Sequence, residues 1–279
     1  MTDNWCSYKL VDPYIAVVIP VVSPSARDRE DFDFLYVTAR AARVAATEHF
    51  LHLDQPIGIW NYIRIANEIA ERIPRGRLLD WGCGFGQMTY LLRRRGFDVT
   101  PFDVAQTAGA LPDLPLTREI QVVTSTHATD LPFESATFDA VLSCGVLEHV
   151  DEFSQRGNEL RSLREIHRVL RPGGFFPIYQ LPQQHTWQEA VTRTLKIGYT
   201  HPRRFTEREI RVMLGENGFR VERLRRFNML PKNLTGLPNA LRDVYSRFSG
   251  AVLRADRVLS AIPLLNRVAG VLEVLARRA

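Results

Sequence analysis

The stretch Leu78-Leu79-Asp80-Trp81-Gly82-Cys83-Gly84-Phe85-Gly86 constrains this chain more than any other part of it. An apolar run that ends in an acid and enters a turn with glycine at every second position describes a strand bending sharply into a helix. Glycine permits positive φ there and lets a ligand approach the main chain. The amides that open the following helix favour negative charge. One strand, helix and strand later, Asp103 closes a second apolar run, where a carboxylate can accept hydrogen bonds from ribose hydroxyls. Together these features describe a site for a nucleoside-containing cofactor. The spacing excludes two common kinds of site. A dinucleotide turn has its third glycine one residue later, where this chain has Gln87, and the phosphate-cradling GxxxxGK[ST] pattern is absent.

Around this turn the sequence alternates strands and helices. Arg77 to Asp80, Phe97 to Phe102, Gln121 to Ser125, Phe138 to Ser143 and Phe175 to Leu181 read as strands, and Gln87 to Arg95 and Glu159 to Leu170 as helices, with the RPGG segment as a turn. That alternation predicts an α/β fold with a mostly parallel sheet and helices on both faces. Thr206-x-x-Glu209 has the capping-box spacing and opens a helix reaching Asn217, and Phe219 to Phe227 is a further strand. Phe32 to Arg72 has helical periodicity with a break near Asp54 to Gly58. Residues 240–262 carry Leu241, Val244, Tyr245, Phe248, Val252 and Leu259 on one helical face. The Tyr14 to Val22 run is short and broken by Pro20, so it reads as a strand or buried arm, not as a signal peptide or membrane span.

Residues 77–181 resemble the class I, Rossmann-like S-adenosylmethionine (SAM)-dependent methyltransferases segment by segment. LLDWGCGFG is similar to their first motif, VTPFDV to their second-strand acid, ATDLPFESATFDAVLSCGVLEHV to their third and fourth strands, and HRVLRPGGFF to the helix and turn before the fifth. The LPFESATFD and VLEHV segments are characteristic of members that methylate small molecules, and HPRRFTEREIRVMLGENGFRVERL is more loosely similar to the later helix and strand. The resemblance implies a seven-stranded, mostly parallel sheet. The resemblance says little about residues 1–55 or 228–270; the expected division is an N-terminal, partly helical extension at 1–72, a SAM-binding core at 73–227, a helical cap inserted at 228–270, and the last core strand at 271–279.

The resemblance also carries site roles. Gly82, Cys83, Gly84 and Gly86 are expected around the amino-acid and ribose part of SAM, with Asp80 near its ammonium group. Asp103 is expected on the ribose, Val104 against adenine, Ala128 and Thr129 on adenine through the main chain, and Cys144 near the methyl sulfonium. Where the family usually has an aspartate, this chain has His127, so either His127 or Asp130 reads the adenine amino group. The implied reaction is methyl transfer to a small-molecule acceptor, with oxygen as the expected acceptor atom and S-adenosylhomocysteine as product.

Such a transfer needs an acceptor held in line, and a base when the acceptor is a hydroxyl. His149, beside Glu148 and Asp151, is the candidate base; a packing role for it stands as the alternative. In similar quinone-modifying enzymes a second Glu completes a metal cluster, but the matching residue here is Gly145, so no metal is expected. His185, Tyr199 and His201 follow the fifth strand, where similar enzymes contact substrate.

Charge bears on partners. Residues 1–200 hold 20 basic and 24 acidic side chains, net −4, whereas residues 201–279 hold 16 and 7, net +9. Three readings of that basic end stand beside simple solvation: a cap meeting an anionic acceptor, peripheral contact with an anionic membrane for a lipid, quinone or glycan-linked acceptor, and nucleic-acid binding. The last lacks a catalytic NPPY-type motif and a recognisable RNA-binding module, so no nucleic acid is expected. A SAM-binding protein without catalysis is a further alternative. Three scattered cysteines exclude a disulfide framework and make the cytoplasm the default location, with membrane association as the variant.

Overall fold

The computed structural model describes residues 24–44, 53, 55–109, 113–127, 129–151, 157–197, 200–232, 234 and 237–279. The Tyr14 to Val22 segment lies outside them. Seven strands form one sheet: β1 (Arg77–Trp81), β2 (Asp98–Val104), β3 (Val123–Ser125), β4 (Phe138–Cys144), β5 (Leu170–Pro182), β6 (Phe219–Phe227) and β7 (Val271–Arg278), in the order β3-β2-β1-β4-β5-β7-β6. β7 alone runs antiparallel, inserted between β5 and β6. The expected mostly parallel seven-stranded sheet is present.

The strand sequences account for its two faces, because neighbouring residues of a strand point to opposite sides. Leu78 joins a core with Val99, Ala140 and Leu142, whereas Leu79 and Trp81 join Phe102, Val141 and Ile178 on the other side. The first core is covered by α1 (Ala26–Val44), α2 (Pro56–Arg72) and α3 (Gln87–Arg93), through Leu35, Ile59, Ile63, Ala66 and Leu91. On the second face lie α6 (Asn158–Val169) and α8 (Glu207–Glu216), through Leu163, Ile166, Ile210 and Leu214. Thr206 and Glu209 form the capping box that opens α8.

Two short helices, α4 (Ala105–Gly109) and α5 (Pro115–Arg118), follow β2, and α7 (Trp187–Leu195) follows β5. The apolar stripe at 240–262 becomes two helices, α9 (Asn239–Arg247) and α10 (Ser249–Ala261), with a 3-10 turn at Leu265–Val268 before β7. The RPGG segment is drawn into β5 instead of standing apart as a turn. Leu170 pairs with Phe138 and Phe175 with Ala140, so Arg171 to Gly174 bulge out of the ladder. Positive φ at Gly173 accommodates that bulge.

Helix α2 is tied to the far edge of the sheet by charge. Arg64 reaches Glu273 on β7 at 2.6 Å, and Arg225 on β6 pairs with both Glu68 and Glu273. No helix among the described residues is long and apolar enough to cross a membrane. The direction of chain progression reverses between β1 and β4, so the C-terminal ends of β1, β2 and β4 open a crevice where ligands bind in sheets of this kind.

Candidate active site

The crevice is built on the glycine turn. Gly82 and Cys83 donate their amides to Phe102 O at 2.8 and 2.9 Å, which fixes the turn to the end of β2. Gly86 has φ +81°, and a Cβ there would meet the Cδ1 of Ile120 at 2.0 Å, so a side chain would be strained and would require Ile120 to move. Gly84 has φ +52° and open space above it; its amide donates to Asp103 Oδ2 at 2.8 Å. The other oxygen of Asp103 accepts from Val104 N at 2.7 Å. The Asp103 carboxylate is thereby locked in orientation with further acceptor capacity on each oxygen. Burial raises its pKa, opposed by these amides and by Thr107.

Beneath the turn, Asp80 is 2% exposed and accepts from Thr89 Oγ1 at 2.6 Å. Burial pushes its pKa up to about 6, and the nearby Asp103 charge adds to the rise. An acid buried among apolar residues and a second carboxylate favours a cationic group in its vicinity. Cys83 is buried, and burial raises its thiol pKa. Cys144, at the end of β4, accepts from Gln180 Nε2 at 3.5 Å, and burial keeps its thiol protonated.

The helical extension contributes to this site, which the sequence did not disclose. Tyr62 of α2 is buried, hydrogen-bonds Gln180 and Gln87, and feels the field of Cys144 and Asp80; burial raises its phenol pKa. Gln180 sits at φ +58° within β5, a conformation uncommon for a residue with a side chain.

A second group lies past the end of β4. Gly145 donates to Tyr179 O at 3.0 Å, and the loop then turns so that His149 N donates to Val146 O at 2.9 Å. His149 Nε2 stands 3.8 Å from Oε1 of the buried Glu148. The ring of His201 comes from the far side, with centroids 5.7 Å apart. His201 Nδ1 is 2.6 Å from Glu189 Oε1, whose other oxygen meets Arg204 at 3.1 Å. Burial opposes ionisation of Glu189, yet His201 and Arg204 outweigh it and hold the carboxyl below its ordinary range.

Asp151 does not join this group. Its carboxylate accepts from Gly157 N and Asn158 N at 3.2 and 2.9 Å, so it caps α6 and neither orients His149 nor completes a cation site. Glu148, His149 and His201 each place one donor atom within 4.8 Å of the others, which makes them, among the described residues, the group that could hold a metal ion. The 3.8 Å between His149 and Glu148 is wider than the separation of about 3.4 Å expected between ligands on one tetrahedral ion with bonds near 2.1 Å.

The remaining expected positions are more exposed. His127 is exposed just past β3, its amide donating to Ser125 Oγ at 3.2 Å and its carbonyl accepting from Asp130 N at 3.1 Å. Asp130 is also exposed, Val104 and Thr129 are half-buried, and His185 is exposed in the turn after β5. Ala128 and Tyr199 lie outside the described residues.

Residues 79–178 match the family model described as a methyltransferase domain. The chain is 31% identical over 116 residues to the "Probable tRNA methyltransferase 9B" of Mus musculus, covering 42% of this chain and 24% of that protein. It is 31% identical over 150 residues to a malonyl-[acyl-carrier protein] O-methyltransferase of Pseudescherichia vulneris, covering 51% and 53%. The chain thus spans from about a quarter to about half the length of these relatives. A SAM-dependent methyltransferase structure from Methanosarcina mazei shares the fold with a TM-score of 0.51 at 16% identity, over 76% of this chain and 96% of that one.

Proposed function

We propose, on the premise that residues 79–178 are a methyltransferase domain of the class I, Rossmann-like type, that this protein moves a methyl group from SAM to the hydroxyl of a small-molecule acceptor. The family and the fold imply SAM as the cofactor, and the crevice fits it. Gly84 leaves open space where a side chain would stand, Asp103 presents an oriented carboxylate suited to two vicinal hydroxyls, and buried Asp80 suits the ammonium group. His127 or Asp130 is the partner for the adenine amino group, and Cys144 lies toward the methyl end.

The observation that carries the reading is that His149, a few residues past the end of β4 at Cys144, is brought against His201, with ring centroids 5.7 Å apart. SAM supplies an activated methyl and its own leaving group, so the protein's work is to align the acceptor oxygen and remove its proton. His149 is the base, with Glu148 next to it to stabilise the imidazolium that results. His201, held through Nδ1 by Glu189, directs Nε2 to the same space and positions the acceptor hydroxyl. The product is S-adenosylhomocysteine. In this reading residues 73–227 and 271–279 form the cofactor core and 228–270 cap it, and no metal and no nucleic acid take part. The protein acts in the cytoplasm, where free thiols such as those of Cys83 and Cys144 persist.

The test is titration calorimetry with SAM, followed by a panel of phenols and hydroxy acids with methyl-labelled SAM. Absence of SAM binding would sink the enzyme reading. Label appearing only on amines or carbon acids would move the acceptor atom away from oxygen.

A further inference from the structure

We propose that α9, α10 and the turn that follows, together with the outer face of α7, dock this protein on an anionic membrane surface. Fourteen large apolar side chains are exposed among the described residues, and eleven of them fall in α7 or in residues 241–268. Such concentration in two segments marks an interaction site, whereas singly scattered apolar residues do not. The segments adjoin at Met229. Its carbonyl accepts from Trp187 Nε1 of α7 at 2.9 Å, and its amide donates to Ser260 Oγ of α10 at 3.4 Å.

Helix α10 has its polarity reversed. Its buried positions are Ser249, Asp256 and Ser260, and its exposed positions include Ala251, Arg254, Ala255, Arg257 and Val258. Asp256 is fully buried, bound by Leu230 N and Lys232 Nζ, so the inward polar face is satisfied. Among the described residues, nothing covers the outward face. Past the helix, residues 261–265 are all exposed, and Leu264 stands out at 68% with φ +70° and ψ −47°. Such γ-turn-like backbone is strained in a leucine. It holds the side chain outward where water would favour retreat.

Charge selects the occupant. Arg247, Arg254, Arg257 and Arg267 are exposed on these elements, and among the described residues none of the four forms an ion pair. Apolar side chains interleaved with arginines match a leaflet whose acyl region lies just below anionic headgroups. A second copy of the chain would bring this face against itself and set arginine against arginine. A nucleic acid would use the arginines and leave Phe248, Ile262 and Leu264 in water.

This inference rests on the methyl-transfer reading only in placing the acceptor at a lipid surface. Its test therefore omits cofactor. The full chain is floated with vesicles of phosphatidylcholine alone or mixed with phosphatidylglycerol, at low and high salt. Binding is expected only to the anionic vesicles, falling several-fold at high salt. Leu264→Asp with Leu265→Asp, and separately Arg254→Glu with Arg257→Glu, are each expected to lower the bound fraction about tenfold while unfolding midpoint and SAM affinity stay unchanged. The proposal is overturned by no binding to anionic vesicles at low salt, or by binding that both well-folded variants retain. It is equally overturned by self-association that the leucine variant abolishes, or by bulk tRNA displacing the protein from vesicles through the same arginines. Vesicle binding without SAM binding would remove the methyl-transfer reading and leave this one standing.

Discussion

His201 Nδ1 lies 2.6 Å from Glu189 Oε1, although the two residues stand on opposite sides of the loop that follows α7. A carboxylate on one ring nitrogen fixes the tautomer and orientation of the ring, whose centroid lies 5.7 Å from that of His149. Glu189→Gln keeps a hydrogen-bonding group and removes the charge. Turnover is expected to fall about tenfold, and that of His149→Ala about a hundredfold, with SAM affinity unchanged in both. A merely structural role would instead lower the unfolding midpoint and leave kcat of the remaining folded protein intact.

Asp103 uses both oxygens to hold the amides of Gly84 and Val104. In Asp103→Asn the amide nitrogen must face one of those two donors. The loss of one charged hydrogen bond, worth about 1.5–3 kcal/mol, together with the ribose contact predicts SAM binding weaker by at least about tenfold. Calorimetry on the variant, with circular dichroism to verify the fold, checks this. Unchanged affinity would place the ribose elsewhere.

These two residues mark how far the sequence was legible. The glycine turn and Asp103 belong to one strand, turn and helix unit, so local pattern fixes their geometry, as it does the register that sets Leu78 against Val99. The placements of Glu189 and Tyr62 depend on packing between segments distant in the chain, which local pattern does not carry. Tyr62 looks like any apolar position of an amphipathic helix until α2 is laid over Gln180. Asp151 is the reverse case: it neighbours His149 in sequence, but the helix beginning at Asn158 draws its carboxylate away. The outward leucines of residues 261–265 were equally hidden, since apolar periodicity predicts a buried face and does not reveal that α10 buries serines and an aspartate.

In the proposed site, Asp80 is expected to make cofactor binding dependent on pH. Its folded-state pKa is raised from 3.8 to about 6, so the cofactor-free fold binds this proton more tightly than the unfolded chain does. The stability from that group is fully present below about pH 4 and is lost as pH rises through 6, on the order of 2–3 kcal/mol. A bound ammonium group favours the ionised acid, so affinity moves the opposite way. SAM is expected to bind roughly tenfold more weakly at pH 5 than at pH 7, and Asp80→Asn to flatten that dependence. A pH-independent affinity in the native protein would remove the ammonium contact.

Among the described residues, Glu148, His149 and His201 are the group best placed to attract a metal ion. With a histidine base, turnover is expected to survive exhaustive treatment with EDTA, and added Zn2+ to inhibit by occupying the donors the acceptor proton requires. Activity abolished by EDTA and restored by Mg2+ or Zn2+ would make these three residues ligands.

The orientation of α10 hangs on Lys232 and Asp256, which are 2.7 Å apart and both buried. Burial pulls the Lys232 pKa down to about 8 against the pull of Asp256, the behaviour of a pair whose desolvation cost rivals its attraction. Removing one partner is therefore worse than removing both. Lys232→Met leaves the Asp256 charge with only the Leu230 amide and is expected to cost about 3–5 kcal/mol. In the double variant with Asp256→Asn the amide oxygen can still accept from Leu230 N and no charge is stranded, so most of that loss is recovered. Urea denaturation of the two single variants and the double variant closes the cycle. Additive losses would show that the pair does not hold the helix, and that the outward set of its arginines is maintained by other contacts.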